Sequence, residues 1–126
     1  MGFFSNLKSL CFQKRGYELA CTGKINEAIK CFNEAYLEAT DLKTSTESKS
    51  WYHFCLSLKN YRENNLEKSK AEYAEFKSLW QSYVDVCNLT PGFGTRTRYF
   101  VWEQQVKDFA KKHEDVFSKI MMHGQQ

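Results

Sequence analysis

The chain has 126 residues, 18 basic against 15 acidic side chains for a net charge of +3, twenty aromatic residues, one Pro and six Gly. That length suits one domain with its own core, and the shortage of Pro and Gly excludes a sandwich or barrel with many tight turns. The charges are too evenly interspersed for the one-sided basic surface of a nucleic-acid binder, and no apolar run approaches the roughly 18 residues of a membrane span.

Five helical segments are predicted in chain order. The first covers residues 3–22, with Leu7, Leu10, Cys11, Leu19 and Ala20 among its apolar positions, and "TGK" ends it because Gly23 accepts a left-handed backbone. In the second, capped by Asn26, Ala28, Ile29, Phe32, Ala35, Tyr36 and Ala39 recur at steps of three and four. Residues 41–50, dense in Ser and Thr, read as a solvated linker whose hydroxyls are open to phosphorylation and whose end caps a third helix near Glu47. That helix carries Trp51, Phe54, Cys55, Leu58 and Tyr61 as far as "RENN". The fourth repeats Leu66, Ser69, Tyr73, Phe76, Trp80, Tyr83 and Cys87 at alternating steps of three and four, the pattern of a seam between helices. A loop at 88–95 holds Pro91, Gly92 and Gly94. The last helix, 96–122, buries Trp102, Val106, Phe109, either Val116 or Phe117, and Ile120, and the final residues fray.

Cysteines at 11, 21, 31, 55 and 87 make an odd number without a CxxC pair, and no two His stand at ligand spacing. They read as free thiols of a reducing compartment, so the expectation is a cytoplasmic protein with no structural metal and no cofactor. His53 and Cys55 are two apart, a spacing that does not bring side chains together on a helix. No nucleophile and base are paired, and the reading is not an enzyme.

Small residues at fixed helical steps carry the most specific signal. Phe12, Gly16, Gly23, Ala28, Phe32 and Ala35 in "FQKRGYELACTGKINEAIKCFNEA" allow two antiparallel helices to approach closely. This stretch resembles a tetratricopeptide repeat, a helix–turn–helix unit with an aromatic, a Gly and an A-x3-F step as signature. A degenerate second copy sets Asn64 over Gly23, Ser69 over Ala28, Tyr73 over Phe32 and Ser57 over Gly16, at an offset of 41 residues. The offset exceeds the roughly 34-residue period of the family, with the extra length lodged in the Ser/Thr linker. The resemblance implies an all-α fold: antiparallel helix pairs in a short right-handed superhelix, repeat 1 at about 7–40, repeat 2 at about 51–87, and a capping helix at 96–122.

It also implies a binding module with a concave groove for a peptide or amphipathic helix of another protein. Matching the family's groove positions selects Gln13, Lys14 and Tyr17 from the first repeat, Phe54, Leu58, Tyr61 and Arg62 from the second, and Arg96, Arg98 and Tyr99 from the cap. Tyr17 and Leu58 stand where chaperone-tail binders of this family carry clamp Asn residues, so a carboxylate tail is disfavoured and a partner with apolar anchors and some acidic residues is expected. The spacing of Trp51, Phe54 and Leu58 describes a core stripe equally well. Self-association is open, because two repeats are fewer than the usual three. Competing readings are membrane recruitment through Gly2 and Cys11 as lipidation sites, and nucleic-acid binding by the basic last helix, diluted there by Glu103, Asp108, Glu114 and Asp115.

Overall fold

The computed structural model describes the backbone of residues 2–89 and 93–124 and the side chains of 4–88 and 94–120. Pro91 and Gly92 of the expected loop, and Gln125 and Gln126 of the terminus expected to fray, lie outside the described residues. Six helices, with no strand among the described residues, follow in order: α1 Gly2–Cys21, α2 Ile25–Glu38, α3 Leu42–Arg62, α4 Leu66–Leu89, α5 Phe93–Lys112 and α6 Glu114–Gly124.

The first pair closes where the small residues predict. A Cβ on Gly16 would sit 2.8 Å from the Phe32 ring, so only Gly admits that ring against α1. Ala28 and Ala35 are fully buried, and the Ser9 hydroxyl donates to the Ala35 carbonyl at 2.5 Å, tying the two backbones together. In the second pair Ser57 and Ser69 replace Gly and Ala, and the Ser69 hydroxyl donates to the Ser57 carbonyl at 2.8 Å.

The two turns are the same structure made twice. Gly23 at φ 85° and Asn64 at φ 63° end their helices left-handed. Gly23 N–H bonds the Ala20 carbonyl and Lys24 N–H the Leu19 carbonyl; 41 residues on, Asn64 N–H bonds Tyr61 and Asn65 N–H bonds Asn60. This paired closure satisfies carbonyls that a helix end would otherwise orphan. Asn serves at the second turn because, after Gly, it tolerates this backbone best.

Three expectations need correction. Residues 42–50 are not a linker but the opening turns of α3, started by Asp41, whose carboxylate accepts from Thr44 N–H at 2.7 Å. Thr44, Thr46, Ser48 and Ser50 are buried, so these hydroxyls are not on offer to a kinase. Short polar side chains let neighbours come close, and each hydroxyl finds a partner: Thr46 donates to the Leu42 carbonyl, Ser50 to that of Glu47, and Ser48 accepts from Gln13. The last helix breaks at His113 into α5 and α6, giving six helices rather than five, and buries both Val116 and Phe117. The second helix starts at Ile25 with Lys24 before it and no side-chain cap, so Asn26 does not cap it.

An aromatic ladder joins the layers. Phe32 of α2 stacks on Trp51 of α3 at 5.4 Å, Phe54 stacks on Phe76 of α4 at 4.1 Å and on Phe117 of α6 at 4.5 Å, and Phe109 of α5 meets Trp51 edge-on at 5.8 Å. Each such pair adds about 0.5–1.5 kcal/mol beyond the area it buries. The central helix, α3, contacts every other helix directly or through this ladder.

Candidate functional site

Hydrogen bonds and ring contacts set the order in which α1, α3 and α5 lie side by side. Asn6 and Gln13 of α1 reach Asp41, Thr44, Glu47 and Ser48 of α3, and Arg98 of α5 reaches Thr44 and Glu47. All three helices therefore run in the same direction. Between them opens a cleft of about 490 Å³, lined by Leu10, Gln13, Lys14, Tyr17 and Glu18 of α1, Glu47 and Trp51 of α3, and Arg98, Val101, Trp102 and Gln105 of α5.

One end of the cleft is closed by a buried polar cluster. The Glu47 side chain is 3% exposed; its carboxylate accepts from Arg98 Nη2 at 2.5 Å, from Arg98 Nε at 2.8 Å and from the Tyr83 hydroxyl. Arg98 also donates to Thr44 Oγ1 at 2.8 Å. Burial works against the guanidinium charge, but the Glu47 hydrogen bonds and charge outweigh it and hold Arg98 above its usual value. Burial and the same carboxylate push the Tyr83 phenol up. Burial opposes ionisation of Asp41 too, yet the Thr44 bonds and the Arg98 charge keep its carboxyl below the ordinary range. Halfway along, burial first, then Cys21 and the charge of Asp108, raise the Tyr17 phenol to about 12, so it is a neutral donor at physiological pH.

The wall is aromatic and incompletely satisfied. The indole N–H groups of Trp51 and Trp102, both from cleft-lining residues, are buried without an acceptor. An unsatisfied buried donor costs about 1–3 kcal/mol. Leu10 and Val101 stand exposed on opposite lips.

Of the ten residues expected at a groove, Gln13, Lys14, Tyr17 and Arg98 come together here. Phe54 and Leu58 do not: at 2% and 0% exposure they are core, because their face of α3 turns to α4 and α6. Tyr61 packs half-buried against that core, and Arg62 lies far along α3, donating to His113 Nδ1 at 2.9 Å. Arg96 and Tyr99 line a second cleft of about 440 Å³, shared with Val84, Cys87, Asn88, Thr95 and Phe100 at the α4–α5 junction. Sequence reasoning missed Glu47, placed at a linker's end, and also Val101 and Trp102 as cleft residues; no sequence signal marked Glu47, whose partners Arg98 and Tyr83 lie far along the chain.

The remaining reactive groups are dispersed. His53 Nδ1 pairs with Glu72 across α3 and α4. Burial pushes the Cys55 thiol up, making it a poor nucleophile. Among the described residues no three His, Cys, Asp or Glu side chains gather as a metal site, and no helix is long and apolar enough to cross a membrane. No family model matches this chain, and neither does any curated protein or solved structure.

Proposed function

We propose that the chain is a protein-interaction module of tetratricopeptide-like build that holds an amphipathic helix or extended peptide in the α1–α3–α5 cleft. The observation that carries this reading is the cleft itself: an aromatic wall of Tyr17, Trp51 and Trp102, lipped by exposed Leu10 and Val101. The volume lies within the about 300–1,000 Å³ of ligand sites, and apolar walls with a few fixed polar groups are their usual make-up. Two apolar anchors one helical turn apart would enter between Leu10 and Val101, and acidic residues beside them would face Lys14. The turns at Gly23 and Asn64 are compatible with that build, each ending the first helix of an antiparallel pair with the same left-handed closure.

The test is retention of partners recovered from the native cell and identified by mass spectrometry. Val101→Glu and Tyr17→Ala should each release a partner that Leu66→Ser, exposed at the opposite end, retains at the parent level. Equal retention by all four proteins would remove the cleft as the binding site. Binding should also shift the fluorescence of Trp51 and Trp102, and a saturated complex with an unchanged spectrum would contradict the reading.

A further inference from the structure

The second cavity, about 440 Å³ at the α4–α5 junction, has the volume of a ligand site without the length of a peptide groove. Its walls span residues 84–88 of α4 and 95–100 of α5. At the α-helical rise that is about 6–8 Å of axis, room for one ring system and its substituent but not for two turns of a partner helix.

The apolar side of the cavity is preformed. Val84, Tyr99 and Phe100 supply it, and the Tyr99 ring is anchored at its far edge, where its hydroxyl accepts from Trp80 Nε1 at 3.1 Å and donates to Glu103 at 2.9 Å. Burial pushes the Cys87 thiol up, so this lining residue is neutral at physiological pH.

The polar side is cationic and unpaired. Arg96 is the one charged residue of the lining; its guanidinium lies 5.7 Å from the Phe100 ring centroid and makes no ion pair among the described residues. Thr95, 8% exposed, accepts from Lys43 Nζ at 2.9 Å, which brings a second cation from α3 to this edge. The Thr95 hydroxyl proton has no acceptor among the described residues. The acids nearby face other partners: Glu47 pairs with Arg98, Glu103 with Lys107, Asp41 accepts from Thr44 N–H and Asn6, and Asp85 is exposed and accepts from Gln81. None of them lines the cavity, so contact with Arg96, not the long-range field, selects an anion here. An Arg held at a ring keeps its fork of N–H donors for a carboxylate carried by a second ring.

We infer that this cavity is a second binding site, for a small aromatic carboxylate: the ring lies against Val84 and Phe100, and Arg96 receives the carboxylate, with Lys43 and Thr95 at the same edge. The site shares α5 with the α1–α3–α5 cleft but none of its residues, so it does not depend on what that cleft holds.

Titration of the isotopically labelled full chain with naphthoate, followed by backbone amide chemical shifts, tests it. Saturable shifts should fall on residues 84–88 and 94–100. Naphthalenemethanol, the same ring without the charge, should bind at least about tenfold more weakly, the share of a charge-assisted hydrogen bond. Arg96→Gln should erase that preference, so that acid and alcohol bind alike, and Phe100→Ala should weaken both, each at parental helicity. Leu66→Ser, at the opposite end of α4, should bind like the parent. The proposal is overturned if millimolar naphthoate gives no saturable shift, or if the shifts centre on the α1–α3–α5 cleft. It is equally overturned if the alcohol binds as tightly as the acid, or if Arg96→Gln keeps the preference.

Discussion

Arg98→Ala is the substitution on which the packing of α5 can be judged. It removes three hydrogen bonds at once, two to Glu47 and one to Thr44, and leaves a carboxylate that is 3% exposed without its counter-charge. Breaking one side of a buried pair costs about 3–5 kcal/mol. Here Arg98 keeps 30% of its surface in water, and the Tyr83 hydroxyl and Gln13 amide still donate to Glu47, so the loss falls to about 2–3 kcal/mol. For a chain of this size that lowers Tm by roughly 6–15 °C. Thermal denaturation followed by circular dichroism at neutral pH reads it directly. The partner change Glu47→Leu with Arg98→Met, which removes both charges at similar volume, should recover at least half of the loss, because isolated burial of Glu47 is the cost. An Arg98→Ala variant that melts within about 2 °C of the parent would refute the view that this ion pair fixes α5 on α3.

Gly16→Ala should destabilise by about 1 kcal/mol net, since overpacking against the Phe32 ring, held by its stack on Trp51, exceeds the helix-propensity gain of Ala; equilibrium urea unfolding measures it, and a stabilised variant would contradict the contact. At the duplicated turns Gly23→Ala should cost about 1–2 kcal/mol and Asn64→Gly nothing or less, because only a left-handed backbone separates the two outcomes; equal effects in the same unfolding assay would show that the turns differ. His113 sets a pH dependence. Burial first, then the Arg62 charge, lower its folded value, with Lys112 adding to this and Asp115 opposing it. A depressed His contributes stability that is complete above its ordinary value of 6.5 and is lost as pH falls through the lower folded value. Tm should therefore drop on acidification through that window, and His113→Gln should flatten this part of the profile.

How much was legible in the sequence differs from residue to residue for physical reasons. Gly16, Ala28 and Phe32 declared the first helix pair because close backbone approach admits few residue types, and periodicity alone carried that constraint. Asn64 aligned on Gly23 only as part of the degenerate second copy, and its left-handed backbone is a finding of the structure. Thr44, Thr46, Glu47, Ser48 and Ser50 misled, because a run of hydroxyls and an acid has the composition of a connector, and only Arg98, Tyr83 and Gln13 arriving from other helices make it a buried interface. Phe54 and Leu58 shared their spacing with any groove residue, and the neighbours that covered them came from α4 and α6.

By itself, then, the sequence determined the helical class, the left-handed turn at Gly23 and the tight contact within the first pair, all matters of local backbone preference and short-range spacing. The tertiary structure alone decided which face of α3 became core, that the hydroxyl-rich stretch was helix, and that Arg98 met Glu47 across 51 residues. Those outcomes depend on partners distant in the chain, and burial of a polar group is favourable only once such a partner is in place.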